Sequence, residues 1–206
     1  MASTVDEGYF AHIKEHPELS AGDIAIIRQR LPDARRVVDI GCGRGGFVAA
    51  CRGELGDALG FDNEPAAGRI CRAHGLPFVL GDAERLPFAN DSLDAARAKE
   101  IIEHLPDPLP MLREIHRALR PGGLFLSHTP THYSAVYPVN NFWDDYTHIR
   151  PYSKFGLRRL LEDGGFQVER IRGYTAGRNA AERLLGRALA IALPHTWLAV
   201  ARKPAP

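Results

Sequence analysis

The sequence predicts an α/β fold of the doubly wound kind, a mostly parallel seven-stranded sheet with helices on both faces. Three observations carry that expectation. Short β-branched runs alternate with amphipathic runs along the whole chain, and Pro/Gly punctuation falls between them. The first such run, RRVVDI (35–40), opens directly onto a glycine loop, GCGRGG (41–46), the usual seam between a strand and the helix that follows it.

The elements follow in order. After RRVVDI, the segment GGFVAACRGEL (45–55) reads as a helix, ALGFD (58–62) as a second strand, EPAAGRICRAH (64–74) as a second helix and PFVLGD (77–82) as a third strand. LDAARA (93–98) is the fourth strand. Leu109, Leu112, Ile115 and Leu119 make one helical stripe over 108–120, closed by Pro121-Gly122-Gly123 before the fifth strand, LFLSHT (124–129). Ser153 caps a helix running through Leu161 to Gly164-Gly165, and FQVERIRGY (166–174) and TWLAVARK (196–203) complete the sheet, with the amphipathic NAAERLLGRALAIAL (179–193) between them. Residues 1–34 read as an N-terminal helical or lid segment, in which Tyr9 and His12 face inward if it folds over the sheet's ligand end.

The 206 residues suit one domain with a substantial core. With 26 Lys and Arg against 25 Asp and Glu there is no broad basic field for nucleic acid, so a small-molecule or saccharide ligand fits better. Three cysteines without C-x-x-C spacing suggest reduced core thiols. The start of the chain lacks a signal-peptide layout, and its most apolar stretch, 184–194, is too short to span a bilayer. A cytoplasmic protein, with no membrane partner and a possible homodimer, is the expectation.

VVDIGCGRGGF (37–47) contains G-x-G-x-x-G at Gly41, Gly43 and Gly46, and Asp62 ends the next strand, where a ribose would be met. Asp39 discriminates between adenosine cofactors: a fixed carboxylate repels a pyrophosphate and attracts an ammonium, which favours S-adenosylmethionine over a dinucleotide. On these residues the sequence resembles the class I S-adenosylmethionine-dependent methyltransferases, whose fold is Rossmann-like, over about 35–130. The resemblance implies that Gly41, Cys42 and Gly43 form the loop the cofactor approaches, and that Asp62 takes its ribose with Asn63 alongside. GDAERLPF implies adenine contacts from Asp82 and the N–H of Ala83, and AKEIIEH implies Lys99 and Glu100 near the methionine end.

EIIEHLPD (100–107) sets Glu100, Glu103 and His104 in an apolar segment; on one helical turn, positions i, i+3 and i+4 converge, which makes a candidate metal site. The full pattern resembles metal-dependent O-methyltransferases in which two carboxylates and two histidines hold a divalent ion against hydroxyls. That resemblance implies Glu100, Glu103, His104 and His148 as ligands, with Glu103, His104 and His148 catalytic; mixed oxygen and imidazole ligands suit Mg²⁺, Mn²⁺ or Zn²⁺, the carboxylates favouring the harder Mg²⁺ or Mn²⁺. His148 has a second role open to it, general base.

Residues 130–152 form a loop too long and too rich in aromatic and titratable groups for a plain connector. Its FWDDYTHIRPYS resembles a segment of sugar-pathway methyltransferases, which implies substrate contacts from Trp143, Asp144, Asp145 and Tyr146. His128 and His132 are further candidates for the acceptor pocket.

The expectation is therefore an S-adenosylmethionine-dependent O-methyltransferase for a sugar, oligosaccharide or related hydroxyl, assisted by Mg²⁺. The alternatives are a metal-free methyltransferase for a quinone, phenol or amine with His148 as base, and a catalytically idle cofactor-binding subunit.

Overall fold

The computed structural model describes residues 17–136, 141–175 and 193–205. Tyr9, His12 and the expected helix at 179–193 lie outside them for all but the last residue. The chain opens with α1 (Pro17–Arg30), then β1 (Arg36–Ile40), α2 (Gly46–Cys51), β2 (Asp57–Asp62), α3 (Pro65–Ala73), β3 (Phe78–Leu80) and β4 (Leu93–Lys99). It continues through α4 (Leu109–Ala118), β5 (Leu119–Pro130), α5 (Lys154–Asp163), β6 (Gln167–Tyr174) and β7 (Thr196–Arg202), with 3₁₀ turns at Ile102–His104, His132–Val136 and Phe142–Asp144.

The seven strands form one sheet in the order β3-β2-β1-β4-β5-β7-β6. β1 to β5 are parallel to their neighbours, and β7 runs antiparallel between β5 and β6. After β3 the chain crosses β1 to lay down β4, so the strand order reverses between β1 and β4. Ligands in open α/β sheets bind beyond the strand ends at such a reversal. Asp39, Asp62, Lys99 and His128 all stand within two residues of the carboxyl ends of β1, β2, β4 and β5.

Both faces are covered, which is why the inner strands are apolar almost throughout. Val37, Ala95, Leu124 and Leu198 pack with Ile24 and Ile27 of α1 and Phe47 and Val48 of α2. On the opposite face Val38, Ala96, Phe125 and Ala199 meet Met111, Leu112 and Ile115 of α4 and Leu157 and Leu161 of α5. Ser153 caps α5 as expected, its hydroxyl accepting from the Gly156 N–H at 3.0 Å.

Three elements differ from their sequence reading: the helix expected over 45–55 ends at Cys51, and β5 and β3 have other bounds. β5 starts at Leu119, not Leu124: Leu119 pairs with Leu93, Gly122 turns at φ 76°, and pairing resumes with Leu124 opposite Ala95. The Pro-Gly-Gly therefore makes a bulge within the ladder, where glycine supplies the left-handed residue. β3, expected over 77–82, is an edge strand of three residues; the Gly81 N–H still donates to the Asp62 carbonyl at 3.0 Å, and Asp82 then caps the turn that follows. Among the described residues, no helix is long and apolar enough to cross a membrane.

Candidate functional site

The glycine loop leaves β1 with Gly41 at φ 68°, Gly43 at 51° and Gly45 at 78°, a conformation that residues with a Cβ avoid. At Gly41 a Cβ would also lie 2.0 Å from Cδ1 of Ile101, so the loop and the turn after β4 are packed directly together. Asp62 braces the loop from β2: one carboxylate oxygen accepts from the Gly43 N–H at 2.9 Å, the other from the Glu64 N–H at 3.0 Å. Those bonds leave lone pairs on both oxygens, so a ribose contact stays compatible with the geometry. Asn63 and Asp82 are exposed beside it, and Asp82 caps its own turn through the Glu84 N–H. Ala83 packs on the core, and Lys99 is partly buried beside Glu100, 3.6 Å away.

Asp39 is where the electrostatic argument needs correction. Its carboxylate is not a free receptor for an ammonium: Nη1 of Arg97, the residue opposite it on β4, lies 2.9 Å away, with both buried. Arg97 also donates from Nε to Asp23 of α1 at 2.8 Å, and its guanidinium lies 4.6 Å over the ring of Phe47. Burial opposes its charge, but the two carboxylates outweigh that and hold its pKa up. Nε2 of His128 reaches both oxygens of Asp23 at 3.0 Å and its Nδ1 meets the Tyr174 hydroxyl at 2.9 Å. His128 is thus a satisfied interior residue, not a pocket wall, and His132 is exposed and stacked on Tyr133.

After β4 the chain does not turn helically at once. Glu100 adopts φ 56°, its N–H still bonded to the His128 carbonyl at 2.8 Å, and the 3₁₀ turn begins only at Ile102. The expected i, i+3, i+4 face therefore loses its first member: Glu100 is half exposed and pairs with Lys99. Glu103, His104 and His148 do converge. Each offers a ligand atom within 4.8 Å of the others, the one such cluster found among the described residues.

Glu103 is 0 % exposed; Oε2 accepts from the Thr129 hydroxyl at 3.0 Å while Oε1 has no hydrogen-bond partner among the described residues. Burial, with a contribution from the charge of Glu100, pushes its carboxyl well above the ordinary range. An unpaired buried carboxylate costs several kcal/mol, roughly, unless a proton or a cation answers it. Both neighbouring imidazoles have their Nδ1 engaged. His148 Nδ1 lies 2.6 Å from the Phe142 carbonyl, which can only accept, so Nδ1 carries a proton, and in the neutral ring Nε2 keeps its lone pair. The ring stacks on Phe142 at 4.5 Å and sits 4.6 Å from the ring of His104. Burial and the nearby His148 lower the His104 pKa, which favours its neutral, coordinating form. An orphaned carboxylate oxygen beside imidazoles with free lone pairs fits a divalent ion.

The four substrate candidates divide. Asp144 caps the 3₁₀ turn by accepting from the Asn141 N–H at 2.7 Å, and Asp145 accepts from both the N–H and the hydroxyl of Thr147. Both therefore shape the loop. Trp143 and Tyr146 are 59 % and 96 % exposed and remain open to a ligand, whereas Phe142 is pinned in the core.

The sequence reading missed Asp23, Arg97, Thr129 and Thr147. A signal existed for two: Arg97 sits among alanines in the middle of a strand buried along most of its length, and Asp23 lies on the inward stripe of α1 with Ser20, Ile24 and Ile27. Such residues require buried partners.

Comparison with known proteins places this geometry in context. Over 166 residues the chain is 31% identical to a Mycolicibacterium smegmatis protein named "Probable S-adenosylmethionine-dependent methyltransferase", covering 76% of this chain and 63% of that one. Over 114 residues it is 36% identical to the ubiquinone biosynthesis O-methyltransferase of Xanthomonas campestris pv. campestris, covering 51% and 47%. The chain thus spans less than two thirds of either relative. In fold it is similar to a chain from the complex between the Haloferax volcanii Trm112 methyltransferase activator and a methyltransferase (TM-score 0.73, 24% identity, 98% and 100% covered). A SAM-dependent methyltransferase from Archaeoglobus fulgidus gives a TM-score of 0.69 at 24% identity, with 91% and 95% covered. The family profile described as "Methyltransferase domain" matches residues 13–171, and with the sheet order and glycine loop above, this chain belongs to the methyltransferase-domain family.

Proposed function

We propose that this chain is an S-adenosylmethionine-dependent O-methyltransferase that activates its acceptor hydroxyl at a divalent ion held by Glu103, His104 and His148. The observation that carries the reading is the orphaned Oε1 of buried Glu103 beside two imidazoles that share its small cluster. Two nitrogen donors and one carboxylate suit Mn²⁺ or Zn²⁺ better than Mg²⁺, so Mn²⁺ is the first ion to test. When bound, such an ion lowers the pKa of a coordinated hydroxyl and makes it a competent nucleophile near neutral pH.

The chain's own residues do the rest. The loop at Gly41 to Gly43, braced by Asp62, offers backbone close to the cofactor, and Asp62, Asn63, Asp82, Ala83 and Lys99 ring its expected seat. The acceptor oxygen forms a bond to the methyl carbon as the methyl–sulfur bond breaks, leaving the neutral thioether and releasing the hydroxyl proton. Orientation of the oxygen in line with the methyl–sulfur bond supplies much of the acceleration. Oxygen as the acceptor atom is supported by the relative named for ubiquinone biosynthesis. Exposed Trp143 and Tyr146 favour an acceptor with a flat or apolar face, a sugar included.

A metal-free reading uses the same geometry. With Nδ1 bonded to Phe142, the Nε2 of His148 is free to take the hydroxyl proton.

The test is calorimetric titration of Mn²⁺ into protein saturated with S-adenosylhomocysteine. One-to-one binding, lost in Glu103→Ala, is expected. Absence of binding to the unaltered protein overturns the metal and leaves His148 as the base.

A further inference from the structure

The turn from Asp145 to His148 carries a hydrogen-bond chain that no feature of the proposed chemistry uses directly. The hydroxyl of Thr147 lies 2.6 Å from Oδ1 of Asp145 and 2.9 Å from Nδ1 of His104. A hydroxyl has one proton, and a carboxylate can only accept. The Thr147 proton is therefore committed to Asp145, and toward His104 the same oxygen acts as acceptor. It follows that Nδ1 of His104 donates, and that Nε2 keeps the lone pair.

We infer that Thr147 and Asp145 are positioning residues that hold His104 in the tautomer able to ligate a divalent ion through Nε2. The inference rests on the metal reading of Glu103, His104 and His148 given above. Three further observations agree with it. The Thr147 N–H also donates to Asp145 Oδ1 at 2.9 Å, so the hydroxyl's rotor is held close to its acceptor. The His148 N–H donates to the Asp145 carbonyl at 3.2 Å, placing both histidine supports in one turn. The Ile149 N–H donates to the Glu103 carbonyl at 2.8 Å and ties that turn to the segment bearing the other two candidate ligands. His148 is held by a backbone carbonyl, and His104 by a side-chain relay together with a hydrogen bond to the Thr147 backbone, two forms of the support that metal-bound imidazoles usually receive. Only the relay can be removed by substitution, so the two histidines provide an internal comparison.

The experiment combines the tautomeric state of both histidines, read by long-range ¹H–¹⁵N correlation spectra of metal-free protein, with calorimetric titration of Mn²⁺. In the unaltered protein both rings carry the proton on Nδ1. Thr147→Val keeps the shape and removes the acceptor: His104 should shift toward the Nε2-protonated form, His148 should not change, and Mn²⁺ affinity should fall about 10–100-fold. Thr147→Ser should restore both readouts. Asp145→Ala frees the Thr147 proton to turn toward Nδ1 and should reproduce the Thr147→Val result, whereas Asp145→Asn retains Oδ1 as acceptor and should leave the His104 tautomer unchanged. If Thr147→Val leaves the His104 tautomer and the Mn²⁺ affinity as they were, the inference is overturned while the metal reading stands. If the unaltered protein binds no Mn²⁺, the metal reading falls and this inference with it.

Discussion

Arg97 and Asp39 face each other across the β1–β4 ladder, Nη1 2.9 Å from Oδ1, both closed off from solvent beneath the glycine loop. With Asp23 on its other side, Arg97 answers two carboxylates supplied by α1 and β1. The charge that the sequence offered as a receptor for the cofactor is therefore spent on holding α1 against the strand ends.

Removing that cation has a large expected cost. Arg97→Met fills similar volume but removes the cation hydrogen-bonded to both buried carboxylates, leaving His128 on Asp23 and the more distant Lys99 near Asp39, so about 3–5 kcal/mol of stability should be lost. Urea denaturation at pH 7 measures it. A loss below 1 kcal/mol, on the order of a surface pair, contradicts the arrangement.

Gly41 should tolerate no side chain. Gly41→Ala combines a left-handed backbone with a contact to Ile101 Cδ1, and about 2–4 kcal/mol of destabilisation is expected. Adding Ile101→Val removes Cδ1 but keeps Cγ1, which a Cβ would meet at 2.8 Å, so it should recover part of the steric cost and leave the backbone part. Thermal melts of the two variants separate them, and equal melting temperatures would show that Ile101 is not the obstacle.

Asp94 sets an acid limit. Its carboxylate accepts from the N–H groups of Arg35 and Arg36 at 2.9 Å and from Nε of Arg120 at 2.7 Å. Burial opposes its ionisation, but these donors prevail and hold its pKa below the ordinary 3.8. A folded pKa below the unfolded one means that the unfolded chain binds the proton more tightly. The contribution is thus present above about pH 3.8 and lost as pH falls through the folded value. Asp94→Asn should be less stable at neutral pH and show a shallower fall in urea midpoint between pH 5 and pH 2.5, about the range over which carboxylate linkage acts. Parallel curves for the two proteins would refute this.

Trp143→Ala and Tyr146→Ala should leave stability within about 0.5 kcal/mol, since both side chains are largely exposed. If they contact the acceptor, KM for it should rise with little change in affinity for S-adenosylhomocysteine. An unchanged KM in the double variant would remove them from the acceptor surface. Phe142→Ala, by contrast, empties a buried site beneath His148 and should cost about 3–5 kcal/mol.

Much of this molecule is legible in its sequence because strand and helix periodicity is a local property. RRVVDI, the glycine loop and the capped helix at Ser153 occur where their patterns put them, and each needs only neighbouring residues to specify it. The bulge at Pro121–Gly123 departs from that reading because the same residues end a helix or interrupt a strand equally well. Pairing with Leu93 decides between the two.

The candidate site was legible in its residue types and less so in its membership. Glu103, His104 and His148 come together across 45 residues of chain, while Glu100, adjacent in sequence, is turned away by one left-handed residue. Spacing alone cannot register that, because one left-handed residue breaks the helical periodicity on which the i, i+3, i+4 face depends. The sequence by itself determined the order of strands and helices, the glycine loop at β1 and the inventory of carboxylates and imidazoles. Only the tertiary structure decided how those groups are paired: that Arg97 takes Asp39, that among the described residues one oxygen of Glu103 is left without a partner, and that the Thr147 hydroxyl meets Nδ1 of His104. Pairing depends on which elements the sheet order brings within about 3 Å of one another, the range over which hydrogen bonds act.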